Sequence, residues 1–331
     1  MLLLLAIVLA SPPNTCGDEL PRIVIGCWQL LERHNDHAAA VDTLKAYMSA
    51  GFNTFDTADI YGASEEILGT VRKQGADMVI HTKYVTSKSS LREARKINDQ
   101  SQHALGGPPE LVAFHWWDYA DASFVRAAQH LVTLQGEGKL KHVAACNFDV
   151  PHLQAMVDAG IGMVSNQVQY SLLDRRPENG MLAYAKAHKI RLATFGVVAG
   201  GWLSDRWLGE PPPGQAAMRT VSMRMYKARL DQWTGGNWEL FQTLLRAMRA
   251  IADRRATTIS NVAAAWVLHQ LGPDGGWVIL GVRDASHLVE HTALLRGEVA
   301  IDDADAKELR AVLDMGQPPR GDIWSHERGL A

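Results

Sequence analysis

The chain has 331 residues, of which 47% are hydrophobic, and a formal net charge of −3 at pH 7. This length and apolar content suit one large α/β domain or two ordinary domains. The nearly balanced charge, without a long run of one sign, excludes the electrostatic footprint of a protein that binds nucleic acid or an anionic membrane. We therefore expect a small neutral or anionic molecule as the partner.

The first ten residues are apolar and too few to span a bilayer. They resemble the apolar part of a signal peptide, although the stretch has no lysine or arginine ahead of its apolar run. Cys16, Cys27 and Cys146 lie far apart without a CxxC pair, so they read as free thiols in a reducing compartment. We read 1–19 as an extension and 20–331 as one cytoplasmic domain. A working signal peptide would instead direct the protein to the secretory pathway.

From residue 20 onward, short apolar stretches alternate with amphipathic stretches of helical length. This pattern predicts eight strands, at 22–28, 52–57, 78–84, 110–116, 140–146, 162–169, 190–197 and 277–282. It predicts helices between them at 37–50, 64–74, 91–104, 122–136, 151–159 and 179–188. Gly51, Gly138 and Gly160 lie where left-handed residues end helices. Eight strands alternating with helices predict an α/β fold, a (β/α)8 TIM barrel.

One long connection departs from this alternation after the seventh strand, from about 200 to 237. It contains the run Pro211-Pro212-Pro213-Gly214, and extra helices are predicted after it at 238–254 and 258–271. A connection this long in a compact domain is usually functional. We expect it to fold over the mouth of the barrel as a lid.

Four polar residues stand at or just beyond the ends of successive predicted strands. They are Asp56, Tyr61, Lys83 and His115. In a parallel α/β barrel, the carboxyl ends of the strands and the loops that follow them form the mouth of one pocket. We therefore expect the aspartate, lysine and histidine to share a rim, with the tyrosine on the loop above it.

These four residue types suit proton transfer to a carbonyl oxygen. A phenol has an unperturbed pKa of about 10, and the ammonium of Lys83 would lower the pKa of Tyr61. Asp56 would pair with Lys83 and keep it charged, while His115 donates to the same substrate oxygen. The set therefore predicts donors for a carbonyl that becomes an alkoxide as hydride reaches its carbon.

Three stretches, 51–62, 82–83 and 114–116, closely resemble the signature of the aldo-keto reductases, and the resemblance covers about residues 20–315. It implies that Asp56, Tyr61, Lys83 and His115 form a catalytic tetrad. It also implies that NADPH binds across the barrel mouth without a Rossmann domain, and no GxGxxG motif is found between a strand and a helix. Other motifs are similar to a branch of the family from plants, fungi and algae.

The same resemblance implies a set of cofactor contacts. Asn147 and Gln167 match the family's contacts to the nicotinamide carboxamide, while Cys146 stands where the family has a serine. Phe195 takes the position of a tyrosine that stacks on the nicotinamide. Gly196 replaces a serine near the pyrophosphate, so backbone amides would have to supply more of that contact.

A segment after the eighth strand resembles the part of the family that holds the adenosine phosphate. Arg283 is placed to pair with a 2′-phosphate, which favours NADPH over NADH. The residues expected on the helical face beside it are His287, Glu290 and His291. The aromatic residues expected in the substrate pocket are Trp28 and Trp116.

Together these residues predict an NADP-dependent oxidoreductase that reduces a small aldehyde or ketone to an alcohol, with Tyr61 as the general acid. A second reading is an NADP(H)-binding regulatory or redox-sensing protein with little turnover. A third class, a barrel hydrolase, would need two facing carboxylates or a clustered metal site. The fourth strand ends in His115 rather than an acid and no such cluster is evident, so we expect no metal.

Overall fold

Eight parallel strands form the centre of the computed structural model, which describes residues 21–30, 36–214, 218 and 220–323. The predicted N-terminal extension and Cys16 lie outside these residues. The strands are β1 (Ile23–Gly26), β2 (Thr54–Asp56), β3 (Val79–Thr86), β4 (Leu111–Trp116), β5 (His142–Cys146), β6 (Ser165–Gln169), β7 (Arg191–Phe195) and β8 (Gly276–Gly281).

Each strand pairs in parallel with the next, and β8 pairs with β1, so the barrel is closed. The predicted (β/α)8 fold is thereby confirmed. Alternate side chains point into the barrel, as the period of two in a strand requires. The interior is filled by a small cluster that includes Val24, Leu111, Ala113, Trp277 and Ile279. The other face of each strand packs against the helices in the main hydrophobic core.

The helices surround the barrel. They are α1 (His37–Ser49), α2 (Ser64–Lys73), α3 (Leu91–Leu105), α4 (Phe124–Gly136), α5 (Val150–Asp158), α6 (Met181–His188), α7 (Val221–Thr234), α8 (Trp238–Arg254), α9 (Ile259–Leu271), α10 (Leu288–Leu295) and α11 (Asp303–Leu313). Gly51, Gly138 and Gly160 follow their helices with φ angles of 104°, 73° and 77°, which suit glycine. Among the described residues, no helix is long and apolar enough to cross a membrane.

The connection after β7 differs from the prediction because it contains a regular helix, α7. The side chain of Thr220 caps this helix by accepting a hydrogen bond from the backbone N–H of Met223 at 3.1 Å. Ahead of it, Trp202 stacks on Trp207 with ring centroids 4.7 Å apart, and both rings are buried. The connection is therefore anchored by its own core and is not a bare loop.

The strand register aligns the polar strand ends on one rim. Asp56 stands opposite Gly26 on β1 and His81 on β3, and His115 stands opposite Val85. On the other side of the barrel, Cys146 pairs with Gln167, and Gln169 pairs with Phe195. The carboxyl ends of neighbouring strands thus bring these side chains to the same mouth.

Candidate active site

A cavity of about 1080 Å³ opens at the carboxyl ends of the strands. Its lining includes all four candidate catalytic residues, Asp56, Tyr61, Lys83 and His115. It also includes the residues expected to hold a cofactor, Asn147, Gln167, Phe195, Gly196, Arg283, His287, Glu290 and His291. Trp28, which is 44% exposed, stands in the same lining. With the exception of Trp116, the catalytic, cofactor and substrate residues predicted from the sequence therefore share one cavity.

A buried ion pair lies at the base of the cavity. The Lys83 ammonium donates to Asp56 Oδ1 at 2.7 Å and to the Thr57 carbonyl at 2.7 Å. Gln167 Nε2 donates to the other carboxylate oxygen of Asp56, also at 2.7 Å. Burial, the largest single effect, works against a charged Lys83, but Asp56, Tyr61 and Cys146 together more than offset it, so the pKa of Lys83 is raised. The lysine is therefore held as a cation with a fixed direction.

The Tyr61 ring lies beside this cation, with the ammonium nitrogen 4.7 Å from the ring centroid. Burial of the phenol raises its pKa, while the charge of Lys83 acts in the opposite direction, and the net result is a pKa of about 12. From the sequence, we expected only that Lys83 would lower the pKa of Tyr61. Desolvation outweighs it, so Tyr61 rests in its protonated form, ready to act as an acid.

His115 is oriented by the indole of Trp117, two residues further along the chain. Trp117 Nε1 donates to His115 Nδ1 at 3.3 Å, and the two rings meet edge to face. Because an indole N–H can only donate, Nδ1 is the accepting nitrogen and the neutral imidazole carries its proton on Nε2. His115 therefore has the tautomer that a substrate-directed donor needs.

The structure corrects the assignment of Trp116 to the substrate pocket. Within β4, Leu111, Ala113 and His115 share the inner face, so Trp116 points outward to the helices. Its ring is fully buried and lies 5.9 Å from that of Phe114. The next residue, Trp117, is 44% exposed and lines the cavity in its place.

Asn147 and Gln167 lie side by side, but their amides differ in what they can still bind. Asn147 has a φ of 59° and a buried side-chain oxygen with no hydrogen-bond partner among the described residues. Gln167 already donates to Asp56, and its oxygen lies 3.8 Å from the Cys146 sulfur. A ligand amide can therefore satisfy Asn147, whereas Gln167 is largely committed within the protein.

Gln169 is a cavity residue that the sequence analysis missed. It follows Gln167 by two positions on β6, and period-two alternation gives both the same face. Its side-chain nitrogen is buried and lacks a partner among the described residues, although the residue lines the cavity. It thus offers a second unsatisfied group to a ligand, and the alternation from Gln167 was the signal that could have found it.

Helix α7 covers part of the cavity, as expected for a lid. A Cβ built on Gly196 would lie 2.5 Å from the Tyr226 hydroxyl, and one on Gly200 would lie 2.7 Å from the same ring. Gln29 Nε2, after β1, donates to Ser222 Oγ on α7 at 2.7 Å. The tyrosine ring therefore takes the space that a serine at 196 would need, and the lid is tied across the mouth.

The end of the cavity near β8 holds the residues expected at the adenosine phosphate. His287 Nδ1 lies 3.1 Å from Glu290 Oε2, and His291 Nδ1 lies 2.9 Å from the Tyr47 hydroxyl. Burial, with a smaller effect from His287, lowers the pKa of His291 to about 4, so it is neutral at pH 7. The neutral ring is thus a hydrogen-bonding partner for Tyr47, and Arg283 supplies a permanent positive charge to this set.

Asp59 links the loop that carries Tyr61 to β3. Its Oδ2 accepts a hydrogen bond from the backbone N–H of Val85 at 3.1 Å, two residues beyond Lys83. Burial raises the pKa of this carboxyl to about 7, although the Val85 N–H acts in the opposite direction. Asp59 therefore helps to fix the spacing between Tyr61 and Lys83.

The chain is similar in sequence to known proteins. The family model described as the aldo/keto reductase family matches residues 22–314. Methylglyoxal reductase DkgA of Yersinia pestis is 28% identical over 190 residues, a match that covers 56% of this chain and only 65% of that protein. The aldo-keto reductase YhdN of Bacillus subtilis is 22% identical over 315 residues, covering 90% and 91%.

Solved structures resemble the whole barrel. A glycerol dehydrogenase from Gluconobacter oxydans matches with a TM-score of 0.74 at 20% identity, covering 91% of this chain and 94% of its own. An aldo-keto reductase from Klebsiella pneumoniae, in complex with NADPH, matches with a TM-score of 0.70 at 21% identity, covering 91% and 93%. At these identities the likeness shows a shared fold and nothing further.

Proposed function

Because the chain belongs to the aldo/keto reductase family, we propose that it is an oxidoreductase that uses NADPH to reduce an aldehyde or ketone to an alcohol. The observation that carries the proposal is the buried set of Asp56, Lys83 and Tyr61, in which the ammonium is bonded to the carboxylate and lies 4.7 Å from the phenol ring. Such an arrangement suits a proton donor for an oxygen that gains negative charge.

The residues at the other strand ends fit a nicotinamide cofactor. The buried, unpartnered oxygen of Asn147 can accept from a carboxamide, and the half-buried ring of Phe195 can stack on a flat heterocycle. Arg283 and His287 line the far end of the same cavity, where they can meet a phosphate. The NADPH in the Klebsiella structure is consistent with this assignment.

In the proposed reaction, bound NADPH supplies the hydride that the carbonyl carbon receives. Tyr61 donates its phenolic proton to the carbonyl oxygen, so that an alcohol leaves and a phenolate remains beside Lys83. The ammonium stabilises that phenolate, and Asp56 keeps the ammonium in position. His115, with its proton on Nε2, donates a hydrogen bond that orients the carbonyl.

The test is the rate of NADPH oxidation with a panel of aldehydes and ketones. Methylglyoxal belongs in the panel because the name of the DkgA relatives refers to it. We expect turnover by the natural chain and a loss of about 10²- to 10⁴-fold in kcat for Tyr61→Phe. Tyr184→Phe is the matched control, because its hydroxyl is buried outside the cavity lining.

Two results would count against the proposal. Equal rates for Tyr61→Phe and the natural chain would remove the tyrosine from the reaction. Saturable NADPH binding without turnover of any carbonyl would favour a cofactor-binding regulatory protein instead. NADH measured beside NADPH tests the assignment of Arg283, since a phosphate-binding arginine should favour NADPH.

A further inference from the structure

Arg229 is a buried cation in the cavity wall that the proposed reaction does not use. It lies on α7, one helical turn beyond Tyr226, and only 8% of it is exposed. The residue belongs to the cavity lining. Its recorded hydrogen bond runs from Nη1 to Gln232 Oε1 at 2.6 Å, so its contact within the described residues is with a neutral amide.

The Asp174 carboxylate, whose charge acts on Arg229, does not neutralise this residue because another arginine occupies the carboxylate. Asp174 accepts from Arg176 Nε at 2.8 Å and from Arg176 Nη2 at 2.6 Å, a two-pronged ion pair that uses both carboxylate oxygens. Asp174 raises the pKa of Arg229, Arg176 lowers it, and burial, the largest effect, lowers it further. Around Asp174, two guanidinium groups therefore share one carboxylate, and both arginines line the cavity.

A buried charge without a counter-ion is costly, and an arginine retains its charge at any physiological pH. A group of this kind facing a cavity is suited to a ligand that brings the missing negative charge. The planar guanidinium favours a carboxylate or a phosphate, which it can contact through two N–H groups. Within the part of the chain that the structure describes, no carboxylate forms an ion pair with Arg229.

The position of Arg229 points to the substrate as the source of that charge. The cavity lining that holds Arg229 and Arg176 also holds Tyr226 and the catalytic phenol of Tyr61. Burial raises the pKa of Tyr226, and the charges of Asp174 and Tyr61 raise it further, so this ring lies near both groups. Arg229 follows Tyr226 by three residues, which is a rise of about 4.5 Å along the helix axis, slightly less than one full turn. The phosphate end of the cofactor site, in contrast, is assigned to Arg283 after β8.

We infer that the carbonyl substrate carries an anionic group, a carboxylate or a phosphate, that binds Arg229 while the carbonyl faces Tyr61. This rests on the proposed reductase function and specifies its substrate class. In such a substrate the anionic group and the carbonyl would lie several bonds apart. An example is an aromatic aldehyde with a carboxylate on the far side of the ring. Arg229 would then determine specificity without taking part in the proton transfer.

The experiment compares 4-formylbenzoate with its methyl ester, which has the same aldehyde but no charge. The quantity measured is the ratio of kcat/KM for the two substrates, with NADPH. We expect the natural chain to prefer the carboxylate, and Arg229→Met to reduce that preference by about 10- to 100-fold, mainly through KM. Arg229→Lys should restore part of it, because the charge returns without the forked geometry.

Arg224→Gln is the matched control on the same helix. Arg224 is exposed, lies outside the cavity lining and donates to the Met218 carbonyl at 3.0 Å, so its removal should leave the ratio unchanged. Unfolding curves for the two Arg229 variants separate a structural role from a binding role. For Arg229→Met, a binding role predicts stability equal to or above that of the natural chain, since an uncompensated buried charge has been removed.

Several outcomes would overturn the inference. A natural chain that reduces the ester as well as the carboxylate has no anion subsite, although its reductase activity stands. A preference that survives in Arg229→Met belongs to another residue. An unchanged preference with a weaker Kd for NADPH would assign Arg229 to a phosphate of the cofactor. Failure to reduce either compound, in a chain that reduces another carbonyl of the panel, would refute this inference alone. Failure to reduce any carbonyl would refute the proposed function as well.

Discussion

Replacing Lys83 with methionine tests the buried ion pair that organises the candidate active site. The variant leaves the Asp56 carboxylate with the amide of Gln167 as its remaining recorded side-chain donor. Both partners of the pair are nearly inaccessible, with side-chain exposures of 3% and 8%, so water can do little to replace the ammonium. Removing one partner of such a pair costs about 3–5 kcal/mol in the free energy of unfolding.

The assay is urea unfolding followed by tryptophan fluorescence for Lys83→Met, Asp56→Asn and the double variant. We expect the double variant to be more stable than Lys83→Met by at least about 1 kcal/mol, because neither charge is then left alone. Turnover should fall by about 10²-fold or more in all three variants. The reasoning is refuted if Lys83→Met unfolds like the natural chain, or if the second substitution only adds to the damage of the first.

Three further results are expected. Gly196→Ser puts a Cβ 2.5 Å from the Tyr226 hydroxyl at a φ of 70°, so urea unfolding should show a loss of about 1–3 kcal/mol, and an unchanged midpoint would contradict the packing. Asn147→Gly suits the φ of 59° and removes the side chain that carries the unpartnered oxygen, so the Kd for NADPH should rise about 10-fold with little change in stability. Burial lowers the pKa values of His81 and His291 to about 4, below their ordinary 6.5. Both rings must stay neutral in the folded state, so stability should be complete above about pH 6.5 and fall toward pH 4, and His291→Asn should flatten that profile.

The strands and the rim of the barrel could be predicted because the relevant information is local. Short apolar runs bounded by helix-length segments fix which residues form strands, and parallel strands bring their carboxyl ends to one side. Asp56, Lys83 and His115 therefore meet, although they are far apart in the chain. The distance of 2.7 Å between the Lys83 nitrogen and Asp56 Oδ1 follows from that register.

Other features depend on contacts between distant residues or on finer local detail. Trp116 was expected in the substrate pocket, but alternation along β4 turns its ring outward and Trp117 lines the cavity. Helix α7 was missed because its preceding segment is rich in proline and glycine. Its place over the cavity depends on Tyr226 fitting against Gly196 and Gly200.

The net charge effects at Tyr61 and Arg229 could not be predicted from the sequence either. The charges beside Tyr61 could be named in advance, but the desolvation that raises its pKa to about 12 depends on how deeply the fold buries the phenol. The same holds for Arg229, whose lack of a counter-ion becomes visible only once Asp174 is seen to bind Arg176.

The central claim is that Tyr61 gives its proton to a carbonyl oxygen as NADPH is consumed. A single-turnover experiment tests it most directly: protein saturated with NADPH is mixed with an aldehyde, and NADPH and the alcohol are both quantified over time. The account predicts one alcohol for each NADPH oxidised by the natural chain, and a rate lower by about 10²- to 10⁴-fold for Tyr61→Phe. Bound NADPH that persists without alcohol, or an equal rate in the variant, would contradict it.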